Sequence, residues 1–337
     1  MLKTRKLRNI IICCMSVVVL MFLIGCDESS SGGEGDTLYF IPINETGAYW
    51  SVMLAGAQAE AAELGFNLIH RTSPNDHPQR NEQQVGFVRE AIAENALAMA
   101  IAPIDPDMLD RVVQDATEAG IPVVTFDSDV TTTANRISYI GTDNLIAGQV
   151  LGRQAAEHLL ANGVTEGSLQ VVLTFLSQTT MILRQEGIQQ GFNETMGAYA
   201  SNFTWLEPIA DEGQSAVSMP QLESRIVANT DLVAVFSLGA EGPTTGTMEA
   251  LRSQGKGGII PHFGFDYTDT WLTGIEDELV TGIVNQDAFE IGRQVVRTMV
   301  RIIEGENVAD NYPIPVTWVE AADIKEHGLL IQERMGE

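Results

Sequence analysis

The sequence predicts an α/β protein built on doubly wound parallel sheets. Apolar, β-branched runs alternate along the chain with stretches of helical periodicity, the pattern of repeated strand–helix units. The stretch 120–129 (GIPVVTFDSD) enters a buried strand through Gly and Pro, and the apolar run stops abruptly at Asp127. Ligands of open α/β sheets bind at the carboxyl ends of the strands. We therefore expect Asp127 to lie at a ligand-binding edge.

The first part of the chain predicts strands that alternate with helices. The first strand covers residues 37–43, and the following helix carries Trp50, Met53 and Leu54 on one apolar face until Gly65 ends it. Further strands are predicted at residues 66–70, 96–102 and 121–126, with helices around 85–92 and 109–116.

After a strand at residues 137–140, the same alternation starts again, and we expect the chain to cross into a second lobe at 141–144. Asp266 stops a strand just as Asp127 does. The helices of this part are predicted at 144–160, 184–196, 220–228, 239–254 and 289–303, and the strands at 169–176, 203–206, 232–238, 259–265, 279–284 and 314–319.

Length and net charge limit the classes of function that the sequence can support. A chain of 337 residues is long for one core and suits two α/β domains. The net charge is −26, and no basic patch follows residue 8. Nucleic-acid binding needs clustered Lys and Arg, so this class is excluded.

The N-terminus is predicted to direct export. Residues 1–25 form a signal peptide with four basic residues near its start and an apolar run over 10–24. The run ends in LIGC, which resembles a bacterial lipobox and predicts lipidation of Cys26. Residues 26–36 then form a flexible tether. An uncleaved signal anchor is the alternative. The remaining two cysteines leave with the signal peptide, so no thiol pair is left for a disulfide or a metal site.

Five short motifs in this order resemble the ribose-binding-protein group of type I periplasmic sugar-binding proteins. The motifs are Tyr49-Trp50, PVVTFD at 122–127, GTDN at 141–144, GFD at 264–266, and Gln286. The likeness covers residues 38–319. It implies an N-terminal lobe of residues 38–141 plus 287–311 and a C-terminal lobe of 142–286 plus 312–322. Three crossover strands would join the lobes, which would close on a monosaccharide.

The resemblance also implies a set of ligand-binding residues. Tyr49 and Trp50 match an adjacent aromatic pair that would stack on a sugar, although both could be core residues. Asp127 and Asp266 would accept from ligand hydroxyls on opposite lobes, or could cap local turns. Gln286 matches a hinge amide that bonds the ligand, with ordinary turn chemistry as the alternative.

The sequence departs from ribose binders in its cationic residues. Ser128 stands where those proteins carry Arg, and a second ligand Arg aligns with Ile182. Arg184 is the candidate replacement for the missing guanidinium, or it pairs with the surface residue Glu186. Ribose itself is therefore doubtful as the ligand.

A glycine-containing loop follows the strand at residues 232–238. Gly239 replaces an Asn of the family, and Glu241 is a further candidate contact or an exposed helix cap. The loop lacks the Lys-Ser/Thr ending of a P-loop, so we expect backbone amides to approach a ligand there. No HExxH or GxSxG pattern predicts an enzyme.

The sequence thus predicts a monomeric, extracytoplasmic, lipid-anchored binding protein without cofactor or metal. It would capture a small sugar or polyol by lobe closure and deliver it to an ABC transporter permease. One alternative is a sensor that presents a sugar-like or amine signal to a membrane kinase or chemoreceptor. Another is an amine ligand, favoured by Asp127, Asp129, Glu241, Asp266 and Asp287 near the expected cleft.

Overall fold

A computed structural model describes residues 37–43, 47–74, 77–239 and 241–336, which form two α/β lobes around two sheets. The predicted signal peptide, Cys26 and the whole of the predicted tether lie outside these residues. The two sheets, each covered by helices, confirm the predicted α/β class with two doubly wound lobes.

The first lobe contains six parallel strands within the described residues. These are β1 (Thr37–Ile41), β2 (Asn67–His70), β3 (Ala98–Ile101), β4 (Val123–Phe126), β5 (Ser138–Gly141) and β12 (Asn311–Pro313), in the sheet order β12-β5-β4-β3-β1-β2. Its helices are α1 (Ala48–Leu64), α2 (Arg80–Ala93), α3 (Pro106–Glu118) and α9 (Ala288–Ile303). Along β1, Leu38 and Phe40 join the core under α1 and α9, while Tyr39 and Ile41 join the core under α2 and α3. A strand buried on both faces explains the unbroken apolar run in the sequence.

The second lobe repeats this plan with one antiparallel edge strand. Its strands are β6 (Gly167–Leu173), β7 (Phe203–Trp205), β8 (Ile209–Ala210), β9 (Leu232–Ser237), β10 (His262–Phe265), β11 (Gly282–Gln286) and β13 (Val316–Glu320). The sheet order is β13-β11-β10-β9-β6-β7, with β8 beside β6, and β13 runs antiparallel to β11. The helices are α4 (Asn144–Ala161), α5 (Thr179–Met196), α6 (Ser215–Ala228), α7 (Gly242–Ser253), α8 (Asp269–Ile275) and α10 (Ile324–Met335).

Within the part of the chain that the structure describes, the backbone passes between the two sheets at three places. The first passage lies between β5 and α4, and the second between β11 and α9. The third lies at residues 314–315, between β12 and β13. The boundary after residue 311 is therefore wrong, because Tyr312 and Pro313 pair with β5 in the first sheet. The final strand predicted at 314–319 corresponds to β13 (Val316–Glu320), whereas β12 before it was not predicted.

Two glycines bring α1 and α9 into backbone contact. A Cβ atom at Gly56 would clash with the carbonyl oxygen of Phe289, and a Cβ atom at Gly292 would clash with the carbonyl oxygen of Met53. Both distances would be shorter than the contacts that real Cβ atoms make. This close crossing holds the start of α1, which carries Tyr49, beside the start of α9, which directly follows the second passage.

Helix α10 was not among the predicted elements, and it contacts both lobes. Ile324 is fully buried in the core of the second lobe, and Gly328 packs against the hydroxyl of Tyr267. Near the other end of the helix, the guanidinium of Arg334 pairs with the carboxylate of Asp287 at 3.1 Å, at the second passage. The last helix therefore lies across the junction of the lobes.

Replacing Gly292 by Ala is expected to destabilise the protein by about 2–4 kcal/mol, because the new methyl group must push the two helices apart. Denaturant unfolding measures the change. The matched control is Gly86→Ala, on the exposed side of α2, where a Cβ meets no atom within 4 Å. This control should be neutral or stabilise by up to about 1 kcal/mol through helix propensity. Equal stability changes in the two variants would contradict the close crossing.

Candidate functional site

Two acidic residues occupy equivalent positions at the ends of central strands in the two lobes. Asp127 follows β4 and Asp266 follows β10, and both have left-handed backbones, with φ of 59° and 58°. Asp is one of the few residue types that enter this region readily. The turn directs each residue away from its strand at the carboxyl edge of the sheet, where α/β proteins bind ligands.

The Asp127 carboxylate is held by groups of its own lobe. The Tyr49 hydroxyl donates to its Oδ1 at 2.7 Å, which joins the start of α1 to the end of β4. The Tyr139 hydroxyl on β5 donates to the backbone carbonyl of Asp127 at 3.0 Å. The turn itself is closed by the amide of Ser128, which donates to the carbonyl of Phe126 at 2.6 Å.

The Asp266 carboxylate is buried and held by the second passage between the lobes. The Gln286 side-chain amide donates to both carboxylate oxygens, at 3.1 and 2.9 Å, and its backbone amide donates to Oδ1 at 3.2 Å. The predicted hinge amide is thus bonded directly to the predicted acid of the second lobe.

Arg184 supplies a guanidinium to the same site. Its Nη1 lies 4.0 Å from Oδ2 of Asp266 and donates to the carbonyl of Leu238 at 2.9 Å, while Nε donates to Asn144 Oδ1 at 2.9 Å. The guanidinium carbon lies 4.2 Å from the centre of the Phe265 ring. These contacts place the guanidinium beside Asp266 of its own lobe, and the replacement of a family arginine by Arg184 stays a prediction.

The electrostatics link the two lobes. Burial raises the pKa of Asp127 to about 6; the Tyr49 hydrogen bond and Arg184 oppose this rise, and the negative charge of Asp266 adds to it. Burial also raises the pKa of Asp266, against the effects of Arg184 and Gln286. The pKa of Tyr49 lies well above its usual value because of burial and because of both carboxylates. Groups from opposite lobes therefore share one poorly solvated site.

The remaining predicted residues make other contacts. Trp50 packs against the core of the first lobe and meets the Tyr49 ring edge-on, with 5.2 Å between ring centres. The Ser128 hydroxyl donates to the carbonyl of Pro103 at 2.8 Å. Gly239 is partly buried, and its carbonyl accepts from Thr244. Glu241 is exposed at the start of α7, and its side chain makes no hydrogen bond that caps this helix.

Sequence reasoning missed three supporting residues: Tyr139, Asn144 and Phe265. Tyr139 orients the Asp127 turn, and the other two hold the Arg184 side chain. Asn144 belongs to the GTDN motif and Phe265 to the GFD motif, but only their contacts with Arg184 on α5 show that they position this side chain. Tyr139 carried no signal, because an aromatic residue in a strand is ordinarily part of a core.

A cavity of about 220 Å³ adjoins the site at the junction of the lobes. Tyr49, Asp266 and Gln286 line one side, and α10 closes another. Helix α10 contributes His327, Leu330, Ile331 and Arg334. The cavity therefore joins Tyr49 of the first lobe to Asp266 and to the second passage between the lobes, while Asp127 and Arg184 are not among the residues that line it.

Residues 37–43, 47–74, 77–239 and 241–336 hold no group of three or more His, Cys, Asp or Glu side chains that could bind a metal ion. None of the helices in this part of the chain combines the length and apolar character needed to cross a bilayer.

Comparisons with known proteins agree with this architecture. A model of the periplasmic binding protein domain family matches residues 38–307. The ribose import binding protein RbsB of Escherichia coli strain K12 is 24% identical over 305 residues, covering 90% of this chain and 97% of that protein. A sugar-binding protein of a Bacillus halodurans ABC transporter is 22% identical, with a TM-score of 0.75 over 86% of this chain and 99% of that one. An ABC transporter solute-binding protein of Agrobacterium vitis, solved with α-D-tagatopyranose, is 23% identical, with a TM-score of 0.74 over 87% of this chain and 97% of that one.

The raised pKa of Asp127 predicts a pH-dependent gain in stability for Asp127→Asn. A carboxyl group with a folded pKa of about 6 and an ordinary value of 3.8 stabilises the fold most below pH 3.8, and this contribution is lost as the pH rises through 6. The amide should therefore raise the free energy of unfolding of the ligand-free protein by about 1–3 kcal/mol at about pH 8 and by little at about pH 4.

Thermal or denaturant unfolding at the two pH values measures this difference. The control is Glu186→Gln, the same chemical change at an exposed position of α5. A lower free energy of unfolding for Asp127→Asn than for the unsubstituted protein at about pH 8 would contradict the raised pKa of Asp127.

Proposed function

Because the chain belongs to the periplasmic binding protein domain family, we propose that it captures a small sugar or polyol between its lobes and delivers it to an ABC importer. The similar proteins are the binding components of sugar import systems, and such components catalyse no reaction. The chain is therefore a binding protein and not an enzyme. The observation that carries the proposal is the joint site formed by Asp127 and Tyr49 of one lobe with Asp266 and Arg184 of the other.

The contacts suggest how a ligand would favour closure. Tyr49 offers an aromatic ring for the C–H face of a sugar, while the carboxylates accept from hydroxyl groups in charge-assisted hydrogen bonds. Since Asp127 and Asp266 belong to different lobes, a ligand bonded to both binds the closed arrangement better than an open one. Such differential affinity shifts the population toward the closed state. The permease would then recognise that state.

The proposed position of the protein is the outer face of the cytoplasmic membrane, or the periplasm, with a lipid on Cys26. The support is the LIGC sequence that ends the apolar N-terminal run and the absence of apolar residues from 27–36, DESSSGGEGD. A lipid anchor would keep the binding protein close to its permease without restricting the movement of its lobes.

Replacing Asp127 by Ala is expected to weaken binding of the cognate sugar by about 100-fold or more, since it removes a charged acceptor from a buried site. Calorimetry on the purified protein measures the affinity, after a thermal-shift screen of sugars and polyols has identified a ligand. In cells, the same variant should abolish uptake of that ligand.

Glu186→Gln is the control and should bind normally. Unchanged affinity in a folded Asp127→Ala protein would remove the basis of the proposed site. If the unsubstituted protein binds the ligand tightly but cells that carry Asp127→Ala still take it up normally, the protein instead acts in signalling through a membrane receptor.

Replacing Cys26 by Ser is expected to release the protein from the membrane fraction, because the serine hydroxyl cannot take the thioether-linked lipid. Metabolic labelling with a radioactive fatty acid and fractionation of the cells measure the change. Cys13→Ser, within the predicted signal peptide, is the control and should stay labelled. Labelling of the Cys26→Ser variant would contradict the lipoprotein assignment.

A further inference from the structure

The charges of the candidate site do not balance. Among the described residues, two carboxylates, Asp127 and Asp266, share it with the guanidinium of Arg184. Tyr49, whose hydroxyl donates to Asp127, lines the same cavity as Asp266, and Arg184 lies 4.0 Å from Asp266. With both acids ionised, the site carries a net charge of about −1. It is also shielded from solvent, so this charge is poorly compensated by water.

The guanidinium is committed to the second lobe. Arg184 is only 6% exposed and is bonded to Asn144 and Leu238 in a stacked position over Phe265. Such a side chain is held on three sides and lies against Asp266. It cannot move to Asp127 without losing these contacts.

Two nearby arginines are also engaged elsewhere. Arg136 pairs with Asp129 at 2.8 Å and with Asp310, and Arg334 pairs with Asp287. Each of these ion pairs is complete without Asp127. The acid of the first lobe receives its side-chain hydrogen bond from Tyr49, a neutral hydroxyl.

The chemistry of a suitable ligand follows from this imbalance. A neutral sugar offers hydroxyl donors to Asp127 but leaves the negative charge of the closed site in place. A primary ammonium offers three donors and also a positive charge, so it satisfies the carboxylate and removes the imbalance. Burying a paired charge is far less unfavourable than burying an unpaired one.

We infer that the ligand is an amino sugar, a monosaccharide whose primary ammonium group binds the Asp127 carboxylate and faces Asp266. This inference rests on the proposed sugar-binding function and specifies the ligand class. Asp127 then determines selectivity for the amine. Tyr49 provides the ring face, while Gln286 donates to Asp266 and Arg184 lies 4.0 Å from it in the second lobe.

The test compares matched pairs of ligands on the full protein. The probes are glucose, galactose and mannose, each with its 2-amino-2-deoxy derivative, and calorimetry measures each affinity. At least one amino sugar should bind about tenfold or more tightly than its parent. N-acetylation of that amino sugar removes the charge and should abolish the preference.

The pH dependence of the preference provides a second readout. The groups that face Asp127 are Tyr49 from α1, Tyr139 from β5, Arg184 from α5 and Asp266 after β10. Of these, Asp127 has a pKa of about 6, which lies in the mildly acidic range. Affinity for the amino sugar should therefore rise between about pH 5 and pH 7, as Asp127 becomes fully ionised.

Two variants change the charge balance in opposite ways. Asp127→Asn removes the carboxylate and should eliminate the preference for the amine, even though its amide still accepts from Tyr49. Ser128→Arg adds a cation beside Asp127 and should reverse the preference toward the neutral parent sugar. Glu186→Gln, on the exposed side of α5, should leave the preference unchanged.

The outcomes separate the inference from the function on which it rests. Binding of a neutral hexose as tightly as its amino derivative would overturn the amine selectivity and leave the sugar-binding function standing. A preference that persists in Asp127→Asn would also overturn it. If no hexose or amino hexose binds, both the inferred ligand class and the proposed capture of a hexose-sized sugar are wrong.

Discussion

The burial of two carboxylates, Asp127 in one lobe and Asp266 in the other, dominates the electrostatics of the candidate site. Burial is the largest cause of the raised pKa of each acid, and the negative charge of Asp266 adds a smaller increase to the pKa of Asp127. The guanidinium of Arg184 lies 4.0 Å from Asp266 and lowers both pKa values. A ligand that donates to both acids would supply the hydrogen bonds that burial denies them, so its binding would be coupled to the relative position of the lobes.

The backbone is built to hold this unfavourable arrangement. Both acids adopt left-handed φ values that most side chains avoid, and each is fixed by hydrogen bonds from neighbouring elements. The close contact of α1 with α9 through Gly56 and Gly292 places Tyr49 beside the second passage between the lobes. Well-packed cores on both faces of each sheet provide the folding stability that offsets the unfavourable burial of the two acids.

The sequence predicted most of the fold because its central strands are buried on both faces and read as continuous apolar runs. The acids were predictable for the same reason, since each run ends at an Asp. The third passage was misplaced because Pro313 and Pro315 flank Ile314, and periodicity cannot tell which sheet so short a strand joins. The role of Arg184 could not be decided from the sequence, because its partners Asn144, Leu238 and Phe265 are brought to it only by tertiary packing. Helix α10 was overlooked because its buried contacts are few and separated.

Helix α10 connects the site to the junction of the lobes through adjacent residues. It packs on Tyr267, which follows Asp266, and it pairs with Asp287, which follows Gln286. The amide of Tyr267 donates to Asn285 Oδ1, so the three elements form one hydrogen-bonded corner beside the ligand-binding acids. Since α10 also contacts α1 of the first lobe, any rotation of one lobe against the other alters contacts that reach within one residue of Asp266 and Gln286. The proposed closure would therefore depend on the ligand and on this corner together.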